Sequence, residues 1–287
     1  MGKEGAAHCG GPTVRGIPIL MYHEVTQASQ VERLSSHIQR GYICTAEEFE
    51  AHMQVLSSNG MRGLSLLELA AALRGEVPWP DKAVVITFDD GYEGNHTHAR
   101  PILKRHGFHA TFFIVTNKMG DDSMMSWAQL QELCDEGFHV QSHTANHPLL
   151  STLDSKATLA ELSDSKAAIE GRLGHAVHSI SLPNGDSNEH LREHARACGY
   201  AVVCGSGFGF NEPGGDVLEL KRIAVKGGQA LEKFERIVTQ HPQTMRRLRW
   251  QSAVKGGVAR ALGKKNYNWL YNAVFGVREQ DKRKQSR

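Results

Sequence analysis

The sequence has no CxxC pair among its five cysteines, Cys9, Cys44, Cys134, Cys198 and Cys204. It therefore suggests neither a disulfide framework nor a thiolate zinc site, and reduced, buried thiols of a cytosolic protein are the expectation. No apolar run in Met1 to Gly16 reaches the length of a signal-peptide core or a spanning helix. That stretch carries five glycines and reads as a flexible arm over residues 1–16. A GxSxG nucleophile elbow is missing, which argues against a serine esterase. Internal repeats and low-complexity tracts are also lacking. Aromatic residues are scarce at 7%, whereas the 29 glycines suit a fold with many short turns.

What is present is a chain of 287 residues, 40% hydrophobic, long enough for one α/β barrel with a substantial core. Net charge is only +2, but from Met245 to Arg287 there are twelve Lys or Arg against two acidic residues. The sequence thus reads as an acidic body of net −8 over residues 17–244 and the arm, carrying a basic, aromatic-containing extension over 245–287. Basic residues interleaved with Trp250, Tyr267, Trp269, Tyr271 and Phe275 fit peripheral contact with an anionic membrane face. Packing of this segment against the acidic body is the equal alternative. The expected location is the cytoplasm, with the inner face of the membrane as a site of peripheral contact, and nucleic acid is not the expected partner.

Strand-like and helix-like segments alternate. Ala83 to Phe88 (AVVITF) is a continuous apolar run, as expected for a strand buried on both faces. Ile17 to Tyr22, Ala110 to Val115, Phe138 to Ser142, Val177 to Leu182 and Ala201 to Cys204 read similarly. Capping boxes at Thr45 with Glu48, Ser65 with Glu68 and Ser126 with Gln129 open helices between them. Further helices are expected over Asp154 to Leu173 and Ser187 to Cys198. About seven βα units favour a parallel barrel over an open sheet.

Polar residues fall where such a barrel places its chemistry, at the carboxyl ends of the strands. Asp89 and Asp90 end one run, His143 and His147 follow another, His23 follows the first, and Asn184 a fourth. Two adjacent carboxylates could instead form a turn with Gly91 and cap the next helix. The i, i+4 spacing of His143 and His147 would, on a helical turn, present two imidazoles to one ion. With a carboxylate this becomes a His₂Asp set with room for water, the composition of a catalytic metal site. His96 and His98, two apart, point to different faces of a helix and are not expected to touch metal. Gly205-Ser206-Gly207-Phe208-Gly209 hints at a dinucleotide loop, but Asn211 and Pro213 follow where a helix should begin.

Thr87-Phe88-Asp89-Asp90-Gly91 and His143-Thr144-Ala145-Asn146-His147-Pro148 resemble the first two motifs of the polysaccharide deacetylases, the NodB-homology carbohydrate esterases of family 4. Ile17 to Val25 (IPILMYHEV) resembles the branch with an N-terminal Tyr-His motif, which includes poly-N-acetylglucosamine deacetylases. The resemblance runs from about Ile17 to Gly228. It implies a distorted (β/α) barrel and an N-acetylated glycan as substrate, whether a polymer or lipid-linked. It also implies one divalent ion, zinc by default, held by Asp90, His143 and His147, with Asp89 as base. Ser181 to Gly185 matches the third motif, making Asn184 the candidate oxyanion donor, with Pro183 and Tyr92 as further substrate-contacting candidates. The family's Arg in that motif is replaced by Ser181, and no Leu-x-His occurs in Leu218 to Val225. The branch assigns the acid to His23. Arg222, in a strand-like segment, is a candidate to replace the missing Arg, but an exposed surface arginine is the expected reading. The rival to an enzyme is a glycan-binding module on the same fold without turnover.

Overall fold

The computed structural model describes residues 16–36, 38–248 and 250. The expected arm over 1–16 and the basic extension over 245–287 lie outside these residues, apart from Gly16, 245–248 and Trp250. Among the described residues no helix is long and apolar enough to cross a membrane.

Chain order begins β1 (Ile19–Tyr22), β2 (Glu24–Thr26), α1 (Val31–Leu34), β3 (Ile43–Thr45), α2 (Ala46–Ser58), β4 (Arg62–Gly63) and α3 (Leu66–Leu73). It continues β5 (Ala83–Phe88), α4 (Arg100–His106), β6 (Thr111–Ile114), α5 (Trp127–Asp135), β7 (His139–Ser142) and α6 (Ser155–Leu173). Then follow β8 (Ser179–Ser181), α7 (Glu189–Ala197), β9 (Val202–Cys204), β10 (Ile223–Ala224) and α8 (Leu231–Val238). The main sheet runs β10-β1-β5-β6-β7-β8-β9 with β4 beside β5, and every pairing in it is parallel. An isolated parallel bridge links Cys204 of β9 to Leu220, three residues before β10, bringing the two ends of that order together. The expected distorted (β/α) barrel is therefore what the chain forms, with a small parallel pair, β2 and β3, beside it.

Side chains alternate across each strand, so one strand serves two cores. Ile19, Val85, Phe113, Val202 and Leu220 pack with Leu66, Leu69 and Leu73 of α3, filling the barrel interior. Leu20, Ile86, Phe88, Phe112, Val140 and Ile180 face the surrounding helices. Tyr22, Phe88 and Phe112 form a stacked run at 5.5 and 4.9 Å, and Phe49 of α2 meets Tyr22 edge-on at 5.0 Å. Each such pair adds roughly 0.5–1.5 kcal/mol beyond its buried area. All three expected capping boxes form, each with both reciprocal hydrogen bonds, and Gly174 ends α6 in the left-handed conformation. Met245, the first residue of the expected extension, is buried in the outer core.

The interior parity explains the site. Ala83, Val85, Thr87 and Asp89 lie on one face of β5, apolar at the bottom and polar at the carboxyl end, and all are buried. Asp89 therefore points into the barrel because Val85 does.

Candidate functional site

Asp89 is 3% exposed and Arg222 is 1% exposed. The two guanidinium nitrogens donate to the two carboxylate oxygens at 2.7 and 2.8 Å, a bidentate pair. Arg222 also donates to Ser181 Oγ at 2.7 Å and, through Nε, to the Gly205 carbonyl at 2.7 Å. Ser181 Oγ donates in turn to Asp89 Oδ2 at 3.2 Å. Burial opposes the charge on Asp89, but the Arg222 guanidinium outweighs it and holds the carboxyl well below the usual carboxylate range. The reading of Arg222 as an exposed surface arginine is thereby overturned. It emerges between the Leu220 bridge and β10, on the strand face that looks inward.

Asp90 departs from the strand, with φ of 75°. Its Oδ1 lies 3.6 Å from His143 Nε2 and 3.6 Å from His147 Nε2. The segment between the histidines is a loop, with Thr144 at φ 70° and His147 at φ 62°. The helical turn expected from the i, i+4 spacing is thus corrected: left-handed residues fold the loop back so that His147 returns toward Asp90. The His147 N–H donates to Thr144 Oγ1 at 3.0 Å, closing that fold. Burial, then the neighbouring His143, pushes the His147 imidazole down to about 4. Nor do Asp89 and Asp90 simply cap the following helix, because Asp89 is committed to Arg222 and Asp90 faces the two imidazoles.

The donor set fits a divalent ion. One ligand atom each from Asp90, His143 and His147 lies within 4.8 Å of the other two, and among the described residues no other His, Cys, Asp or Glu group does this. Ligands at about 2.0–2.1 Å on a tetrahedral ion sit roughly 3.3 Å apart, close to the 3.6 Å found here. His143 Nδ1 lies 2.7 Å from the Ser181 carbonyl, which accepts its proton and leaves the Nε2 lone pair facing Asp90. That outer bond is the usual device for fixing the tautomer of a metal-ligating histidine.

Around this centre stand the other candidates. His23 is half-buried, its buried Nδ1 has no hydrogen-bond partner among the described residues, and its ring lies 4.2 Å from that of Tyr42. Burial lowers its pKa, while Asp90 and Asp89 pull it up. Tyr92 shares a hydrogen bond with Asp90, and burial first, then that carboxylate, pushes its phenol up. Pro183 is buried and Asn184 exposed, with Asn184 at φ 56° in the turn Pro183–Gly185 that follows β8. Gly185 is obligatory there: its φ is 62°, and a Cβ would meet Ser206 Oγ at 1.7 Å. His96 pairs with Glu132 at 2.9 Å, and His98 lines a side cavity with Glu24, so neither reaches the centre. Sequence reasoning missed Tyr42, whose ring lies beside His23. Tyr42 sits in a short turn without periodicity.

The chain is similar to known proteins over most of its length. A family model described as polysaccharide deacetylase matches residues 76–203. The Bacillus subtilis protein YxkH, whose name assigns it to the polysaccharide deacetylases, is 30% identical over 218 residues, covering 76% of this chain and 74% of that protein. A poly-beta-1,6-N-acetyl-D-glucosamine N-deacetylase of Staphylococcus aureus is 30% identical over 190 residues, which cover 59% of this chain and 65% of that enzyme. The Streptococcus pyogenes deacetylase PplD, solved in complex with acetate, superposes with a TM-score of 0.70 at 28% identity, covering 80% of this chain and all of that one.

Proposed function

The chain belongs to the polysaccharide deacetylase family, and we propose on that premise that it hydrolyses the acetamide of N-acetylated sugars in a polymeric or lipid-linked glycan. The observation that carries this reading is a division of labour between adjacent carboxylates. Asp90 faces two imidazoles, while Asp89, 3.9 Å from His143 Nε2, is held by an arginine.

A divalent ion held by Asp90, His143 and His147, zinc by default, would polarise the acetyl carbonyl and make water a better nucleophile. Asp89 is charged at neutral pH and fixed in direction by Arg222 and Ser181, so it can accept the proton of the attacking water without rotating away. His23 is the acid that protonates the leaving amine. Burial outweighs the pull of the two aspartates and lowers its pKa, which eases release of the proton it carries. The turn at Pro183–Gly185 offers the Asn184 backbone N–H as an oxyanion donor, and Tyr92 forms the rim beside Asp90.

Acetate release is the test, measured across N-acetylated oligosaccharides and polyprenyl-linked sugars, before and after chelation and with zinc restored. Release abolished by chelator and recovered with the ion is expected. Zinc-loaded protein that binds these glycans but frees no acetate from any of them would overturn the enzyme reading in favour of a binding module.

A further inference from the structure

His143 and His147 reach the centre by different means. His143 directly follows β7, and its ring is pinned through Nδ1 to the Ser181 carbonyl. His147 stands at the end of a loop containing two non-glycine residues in the left-handed region, a conformation that persists only where surrounding contacts enforce it. The β6 side supplies part of that enforcement. The Thr116 and Asn117 N–H groups donate to the Thr144 and Ala145 carbonyls at 3.3 and 3.0 Å, and Asn117 Nδ2 donates to Asn146 Oδ1 at 2.8 Å. On the other side, among the described residues, stands Glu161 on α6. It accepts the backbone N–H groups of Ala145 and Asn146 on Oε2 at 3.0 and 2.9 Å, and Asn146 Nδ2 on Oε1 at 2.7 Å.

We infer that Glu161 is a positioning residue for the metal cradle, holding the 144–147 loop in its left-handed fold and so fixing His147, but not His143, in the ligating pose. This rests on the metal reading of Asp90, His143 and His147. A carboxylate is matched to the task because all three of its partners are donors, and two of them are backbone groups that no side-chain change on the loop can remove. Without Glu161 the loop is tethered on the β6 side alone, and the Ala145 and Asn146 N–H groups are free to turn toward water. The ion would then be held by two firm ligands and one wandering one.

The orientation of the Asn146 amide makes the inference testable in both directions. Glu161→Gln keeps one oxygen for the backbone groups but sets an amide NH₂ against the NH₂ of Asn146. Flipping the Asn146 amide to relieve this sets NH₂ against NH₂ at Asn117 in turn, so relief requires both amides to turn together. Asn146→Asp presents acceptors to both neighbours, so it should harm the wild-type background, where it faces Glu161, and repair Glu161→Gln.

The experiment is zinc affinity of the full chain by chelator competition for the wild type, Glu161→Ala, Glu161→Gln, Asn146→Asp and the Glu161→Gln/Asn146→Asp pair. Unfolding of the chelated proteins and kcat at saturating zinc are measured in parallel. Glu161→Ala is expected to weaken zinc about 10–100-fold, the usual cost of losing an outer partner, with kcat at saturating zinc kept within several-fold. The double variant should bind more tightly than either single one. A Glu161→Ala variant that is less stable but binds zinc within about twofold of the wild type would reduce Glu161 to a structural contact and overturn the inference, as would a double variant no tighter than Glu161→Gln. Wild-type protein that binds no zinc would instead overturn the metal reading itself.

Discussion

Replacing Arg222 by methionine keeps much of the side-chain volume while removing a charge that is 1% exposed. Asp89 would then retain only the Ser181 hydroxyl as donor, and the Gly205 carbonyl would lose the Arg222 Nε bond. Breaking one side of a buried ion pair typically costs about 3–5 kcal/mol, of which the orphaned carbonyl accounts for about 1 kcal/mol. The pH dependence should also invert. In the wild type the Asp89 pKa is depressed, so its contribution is present above the unfolded value near 4 and is lost as pH falls through the folded one. In the variant the largest opposing influence on burial is gone and only His143, His23 and the Ser181 hydroxyl still favour the charge, so the pKa rises and the destabilisation grows as pH climbs above about 4. Urea unfolding of chelated protein at pH 5 and pH 8 reads both effects. Adding Asp89→Leu to Arg222→Met removes the stranded charge and should return at least half of the loss, because two apolar partners leave nothing unpaired. A single variant that loses less than about 1 kcal/mol at pH 8, or a double variant no more stable than the single, would refute the reasoning.

Three further outcomes are expected. His52 is buried between the Tyr22 hydroxyl at 3.2 Å and the Phe234 ring at 4.0 Å, and burial pushes it down to about 4. Stability should therefore fall as pH drops from about 6.5 toward 4, by up to about 3 kcal/mol; urea midpoints of His52→Gln should show a shallower decline than the wild type, and parallel curves would contradict this. Burial first, then Glu93, pushes the Glu24 carboxyl up to about 8, so its charging destabilises the fold as pH rises from about 4.5 to 8. Glu24→Gln should match the wild type at pH 5 and melt at a higher temperature at pH 9; equal melting at both would refute it. His23→Ala should keep its metal and lose roughly 10²–10⁴-fold in kcat, and undiminished acetate release would remove His23 from the mechanism.

Much of this site was legible because its residues sit at ends of elements with strong local signals. AVVITF announces a buried strand, and its period of two sends Asp89 inward with Val85 and Thr87. Arg222 was named from the sequence without its face being known, because β10 has only two residues and offers no alternation to read. Its partner lies 133 positions away, a contact that no local pattern encodes. The loop from His143 to His147 failed for a related reason. Thr144 and His147 adopt left-handed conformations that their residue types do not favour, imposed by Thr116, Asn117 and Glu161 from other elements. The β2–β3 pair was missed because three-residue strands carry no periodic signal.

The position of Arg222 also bears on how the molecule is made. The segment that carries it bridges β9 at Leu220 and then pairs with β1, so it is the last piece of the ring to be laid down in chain order. On a ribosome, Asp89, Asp90 and the histidine loop emerge long before this piece clears the exit. A nascent barrel lacking it has its interior carboxylate without a counter-ion, so a half-built chain would not yet have Asp89 fixed in place. The segment that completes the wall carries the same side chain that holds the interior carboxylate.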